Sequence, residues 1–145
     1  MKKGKCKLVL ILQLLFLFCV GAFAYMGIEL AWRGFTHWTM GIVGGICFII
    51  IGLLNEGYNW EMPFVKQALI GGCVITALEF VAGVILNIIL HMNIWDYSNL
   101  PLNLFGQVCL PFSVLWCGLS AVAIVLDDYL RYWLFEGRKP EYHWK

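Results

Sequence analysis

Glu79 stands thirteenth in the 24-residue apolar stretch Gln67–Leu90, with no lysine or arginine inside that stretch. An ionised carboxylate in such surroundings costs on the order of several kcal/mol unless it is paired, solvated or protonated. Glu79 is therefore a candidate for proton or cation coupling or for contact with a polar substrate. The plainer reading is a protonated structural carboxyl bonded to a neighbouring helix. A second polar group is dispersed along the chain. Glu29, Arg33 and His37 end the first apolar stretch, and Asn87, His91, Asp96, Asn103 and Gln107 surround the junction of the last two. Glu29 and Arg33 are spaced i,i+4 and can pair on a continuing helix. If the two helix pairs pack together, these residues gather into one outward-facing polar pocket on a substrate or ion pathway. Otherwise they are loop polarity meeting lipid headgroups.

Other chemistry finds little support. There is no Gly-x-Ser-x-Gly elbow, no His-Glu-x-x-His and no phosphate-cradling loop ending in Lys-Ser or Lys-Thr. His91, Asp96 and Ser98 have the residue types of a triad, but they crowd one short connection and nothing marks an oxyanion hole. Asp127-Asp128 lacks the further acidic residues of a metal–diphosphate site and reads as a helix-end pair. The six cysteines, at 6, 19, 47, 73, 109 and 117, form no C-x-x-C pair and read as small packing residues. No catalytic residue, metal site or cofactor is expected. A net charge of +1 gives no basic field for nucleic acid.

The elements that must position these residues follow from composition. Of 145 residues 61% are hydrophobic and 13% charged, against about 45–50% and about 25% in an ordinary soluble domain. Too little polar surface remains for a water-soluble fold. Crossing a hydrocarbon core of about 30 Å takes roughly 20 apolar residues. Four stretches qualify, at about 8–28, 34–54, 67–90 and 104–126, followed by a tail over 127–145. Their apolarity is even rather than alternating, which fits helices and not barrel strands. The expected fold is an all-α integral membrane bundle of four transmembrane helices in a single domain. Lys2, Lys3, Lys5 and Lys7 followed by Leu8–Val20 and Ala22-Phe23-Ala24 also match a cleavable signal peptide, although the apolar run continues to Ile28.

Orientation follows from the ten basic residues. With the N-terminus inside, Arg33 alone falls outside, so both termini are predicted cytoplasmic. Trp32, Trp38 and Trp95 then mark the outer boundary, and Trp60 and Trp133 the inner one. The tail is expected to begin as a helix with Asp127 and Arg131 paired i,i+4, and Pro140 limits its extent.

Membrane helices associate through small residues. Gly41, Gly45 and Gly52 form one such face; Gly72, Thr76, Glu79, Gly83 and Asn87 form a second. Gly106, Cys109, Ser113, Cys117 and Ser120 form a third, each at helical spacing. Gly41, Gly45, Gly52, Gly72, Gly83 and Gly106 are thus the candidate helix-packing residues.

Glu79 followed by Gly83 and Asn87, then Ile94-Trp95-Asp96-Tyr97-Ser98, Pro101-x-Asn103 and Gly106-Gln107-x-Cys109-Leu110 through Trp116, resemble the bacterial family described as putative ABC-transporter type IV. Glu29-x-x-x-Arg33-Gly34-x-x-His37 and Gly44-Gly45 are similar to it as well. The resemblance implies a small multi-pass protein of the bacterial cytoplasmic membrane, of the kind often labelled an ABC transporter permease. A permease of that sort needs an ATPase partner, since this chain carries no nucleotide motif. The short connection Asn55–Pro63 and Lys66 would be the nearest docking surface. Four spans would also have to oligomerise to enclose a path. The loop Trp95–Asn103 reads either as a lid over Asn87 and Gln107 or as a rigid turn.

Three functional classes remain. The first is a transport-related subunit using Glu79 and the polar group. The second is a scaffold or accessory protein binding another membrane protein through its glycine faces. The third is an intramembrane enzyme.

Overall fold

A computed structural model describes residues 7–57 and 62–144, the side chains of 55 and 57 excepted. Lys2, Lys3, Lys5, Cys6, Trp60 and Lys145, together with 58–61 of the connection expected to be a docking surface, lie outside the described residues. Four helices dominate: α1 (Lys7–Arg33), α2 (Trp38–Gly57), α3 (Phe64–Gly83) and α4 (Leu110–Phe135). α3 continues into a π-helical turn, Val84–Ile89, so that Phe64–Ile89 forms one rod. Two short strands, β1 (Asn103–Leu104) and β2 (Val108–Cys109), pair antiparallel immediately before α4. By length and composition α1, the α3 rod and α4 can each cross a membrane, and α2 adds the shorter apolar stretch Trp38–Leu54.

The boundaries correct the sequence reading in two places. The second helix begins at Trp38, not 34, because Gly34 adopts φ +76° and its N–H closes α1 on the Leu30 carbonyl. The fourth begins at Leu110, not 104, because residues 103–109 form the β-hairpin. Pro111 sits in its first turn, where a missing N–H is harmless. α4 then runs to Phe135, so Asp127 and Asp128 lie within it rather than at its end.

The chain divides into two compact units, Met1–Ile50 and Ile51–Lys145. In the first, α1 and the start of α2 meet through glycines. A Cβ added to Gly21 or Gly44 would overlap the Phe48 or Tyr25 side chain. Gly41 lies against Met26 and Gly45 against the Phe18 ring. In the second, α3 and α4 pack antiparallel, Gly71 against Ser120 and Gly72 against Cys117. Gly52, at the end of α2, leaves room for the Asp127 carboxyl, which a Cβ there would strike. Asp127 is 0% exposed and accepts from Arg131 Nε at 2.6 Å, the i,i+4 pair expected from the sequence.

The start of α3 has no side-chain cap. Its first N–H, on Phe64, donates instead to the carbonyl of His143 at 2.7 Å. The Phe64 ring packs on Tyr142 and Trp144, and the Tyr142 hydroxyl donates to Asp128 Oδ2 at 2.9 Å. Burial first, then the Asp128 charge, push the Tyr142 phenol above its ordinary range, so it remains a donor. The segment after α4 is thereby strapped back onto the start of α3.

Candidate functional site

Glu79 is 3% exposed, on the face of α3 turned toward α4. Both its oxygens are engaged. Tyr97 donates its hydroxyl to Oε1 at 2.9 Å, and Trp116, one turn and a half into α4, donates Nε1–H to Oε2 at 2.8 Å. Neither donor is charged. The Tyr97 ring stacks on Phe112 at 4.7 Å, which fixes the direction from which its hydroxyl approaches.

One helical turn further along, Gly83 has no side chain because Gln107 and Trp95 lie directly against its backbone. Trp95, expected at the outer boundary, is instead 7% exposed, and its indole N–H donates to the Gln107 carbonyl at 2.9 Å. Asn87 lies in the π-helical turn, a local distortion often found at functional positions. Its amide nitrogen donates to the Trp95 carbonyl at 3.0 Å and to Gln107 Oε1 at 2.9 Å. Its oxygen accepts from the Ile94 N–H at 2.7 Å. Glu79 with Tyr97 and Trp116, and Asn87 with Gln107 and Trp95, thus form two hydrogen-bonded groups two helical turns apart on the α3 rod, joined along the chain from Trp95 to Tyr97.

Asp96 and Asn103 perform a different task. Asp96 Oδ1 accepts from both the N–H and the hydroxyl of Ser98. Those bonds hold its carboxyl below the usual range. Asn103 donates to the Ser98 and Leu100 carbonyls at 3.1 and 2.9 Å and accepts from the Gly106 N–H at 3.1 Å. Gly106, expected on a helix-packing face, is a turn residue at φ +68°, and a Cβ there would meet Ser98 and Asp96. Leu102 and Phe105 also hold positive φ, an arrangement that costs about 1–3 kcal/mol per residue and persists only where the surroundings impose it. His91 is exposed and stays outside both groups.

Glu29, Arg33 and His37 lie in the first unit. Arg33 donates to Glu29 Oε1 at 2.7 Å, and the Thr36 hydroxyl to its other oxygen. The Arg33 guanidinium also covers the Phe35 ring at 4.6 Å. His37 Nδ1 lies 2.7 Å from the Thr39 hydroxyl at the start of α2. Among the described residues no three His, Cys, Asp or Glu side chains form a metal cluster.

A model of the family described as putative ABC-transporter type IV matches residues 16–137. The chain belongs to this family. The match takes in Glu29, the whole Glu79 network and Asp127, and stops before the strap residues Tyr142 and His143. Comparison with curated proteins and with solved structures finds no match. Three helices long and apolar enough to cross a bilayer are compatible with a membrane protein, as is membership of this family.

Sequence reasoning missed Tyr97 and Trp116 as partners of Glu79 and treated Trp95 as an interfacial anchor. A signal was present for Trp116. A buried indole N–H requires an acceptor, and an apolar helix pair offers few. Tyr97 gave no comparable sign.

Proposed function

We propose that the chain is a transport-related membrane subunit that works with a separate ATPase, with its polar site at Glu79, Asn87 and Gln107. The carrying observation is that a buried carboxylate and, two turns further on, a buried amide pair in a distorted stretch of helix line one apolar helix pair. Buried polar groups in such surroundings mark pathways more often than they serve packing. Family membership supports the ATP-driven class, and a separate ATPase is in keeping with a sequence that carries no nucleotide motif. Predominance of basic residues on the terminal segments supports an orientation with both termini cytoplasmic, in a bacterial cytoplasmic membrane. Asp96 and Asn103 would shape the rim of that site, and Glu29, Arg33 and His37 are proposed as pathway residues of the first unit in their own right.

The scaffold reading has less behind it. Gly41, Gly45, Gly72 and Gly83 are filled by side chains of their own unit and are not free to receive a partner helix. The decisive experiment is purification of the tagged chain from native membranes in mild detergent. An ATPase recovered in fixed stoichiometry, with ATP-dependent transport abolished by Glu79→Gln, is the expected result. Repeated recovery of the chain alone would refute the reading.

A further inference from the structure

The segment joining α3 to α4 does not simply cap the two helices. Gly83 abuts Gln107 and Trp95, the Phe80 ring lies 6.5 Å from that of Phe105, and Tyr97 reaches Glu79. Further down, Leu104 and Val108 join Gly72, Thr76, Phe80 and Ser113 around an apolar groove of about 400 Å³. The Thr76 and Ser113 hydroxyls bond back to their own chain at 2.9 Å each, so the groove presents no polar group from them. The hairpin therefore runs alongside α3 for several turns, and α4 starts well short of the far end of the rod.

The Phe64–Ile89 rod spans about 39 Å at ~1.5 Å per residue, roughly 9 Å more than a hydrocarbon core of about 30 Å. Glu79 lies ten residues from Ile89, about 15 Å along the axis. Even if all the surplus projected on the hairpin side, Glu79 would lie about 6 Å inside the hydrocarbon boundary, and Leu104 and Val108, in one groove with Thr76 and Phe80, bring the hairpin to a similar depth. Non-helical backbone at that depth is tolerated only against protein or water. The hairpin exposes two unlike sets of side chains. Leu102 and Phe105 are 77% and 73% exposed and apolar, which suits lipid. Asp96, Ser98 and Asn103 are exposed and polar, and Asp96 is the single acidic residue between 91 and 109.

We infer that this segment is a re-entrant hairpin whose polar set borders a water-filled vestibule within the membrane, reaching toward the Tyr97–Glu79 contact and admitting small hydrated cations. The inference rests on α3 crossing the bilayer but not on transport activity.

The test uses single cysteines in a chain whose six native cysteines are replaced by alanine, in oriented membrane vesicles. Ser98→Cys should react with a membrane-impermeant cationic thiosulfonate from the hairpin side about tenfold faster than Phe105→Cys or Leu102→Cys, because only a hydrated thiol ionises. Phe105→Cys should still react with a lipophilic maleimide. Asp96→Asn should remove the preference of Ser98→Cys for the cationic over the anionic reagent. Equal charged-reagent labelling of both sets would place the hairpin in bulk water, and silence at Ser98→Cys would bury its polar set; either overturns the inference. Lys66→Cys, near the start of α3, must label only from the opposite side. If it labels from the same side, it is the membrane-crossing reading that fails. Should the cysteine-free chain not fold, hydrogen exchange on the unaltered chain in lipid nanodiscs replaces it. Faster exchange over residues 96–102 than over the α3 rod is expected, and protection equal to that of the rod would overturn the inference.

Discussion

The connection between α1 and α2 and that between α3 and α4 both carry polar residues, yet they are built on opposite principles. The first is closed by neighbours in sequence: Arg33 and Thr36 on Glu29, and His37 on Thr39. The second is closed by distant residues, with Tyr97 eighteen and Trp116 thirty-seven positions from Glu79, and Gln107 twenty from Asn87. A locally closed turn tolerates change because its helix ends form without it. A turn closed at a distance couples two helices, so one substitution should disturb both.

The largest expected effect breaks the second connection at its base. Glu79→Leu leaves the Tyr97 hydroxyl and the Trp116 indole N–H without this acceptor, at about 1–3 kcal/mol for the buried indole and less for the half-buried phenol. Thermal unfolding in detergent should register the loss, and proteolysis should open the hairpin. Glu79→Gln should stay within about 1 kcal/mol of the parent, because its amide oxygen accepts from Trp116 while the Tyr97 hydroxyl rotates to accept. A Gln variant as unstable as the Leu variant would mean that the charge, not the bonding, holds the site.

Next comes Gly106→Val, expected to cost about 1–3 kcal/mol through its left-handed backbone and its clash with Ser98 and Asp96. The same assay reads it, and an unchanged midpoint would show that the turn can be rebuilt. Arg33→Ala in the first connection should cost only about 0.5 kcal/mol, the worth of a partly exposed i,i+4 pair. A larger loss there would erase the contrast between the two connections.

The smallest effect is that of acid on Asp96. Its folded pKa lies below the ordinary 3.8, so its contribution is present above that value and is lost as pH falls through the folded one. Hairpin protection measured by hydrogen exchange should therefore be flat from neutral pH to about 4 and decline only below it.

This contrast also explains what the sequence could disclose. The four helices were legible because apolar length alone specifies them, and the Glu29–Arg33 pair because a spacing of four does. The hairpin was not legible, since Gly106 and Cys109 fall by coincidence at helical intervals from Ser113, Cys117 and Ser120, which do share a helix. Asn103 decides otherwise: its amide satisfies the Ser98 and Leu100 carbonyls and the Gly106 N–H, offering the backbone a local alternative to the helix. Glu79 was identified from its surroundings, but its donors were not, because nothing in local spacing reports a bond across eighteen or thirty-seven residues.

The bond from Phe64 to His143 carries a consequence for biosynthesis. A ribosome delivers the start of α3 seventy-nine residues before the carbonyl that terminates its hydrogen bonding (143 less 64). That helix must wait, with its first turn open, until α4 and the strap behind it have been made. Order of synthesis and order of completion are therefore reversed in the second unit. A stop or a bulky fusion near residue 143 should be felt first not at that end of the chain but at the beginning of α3.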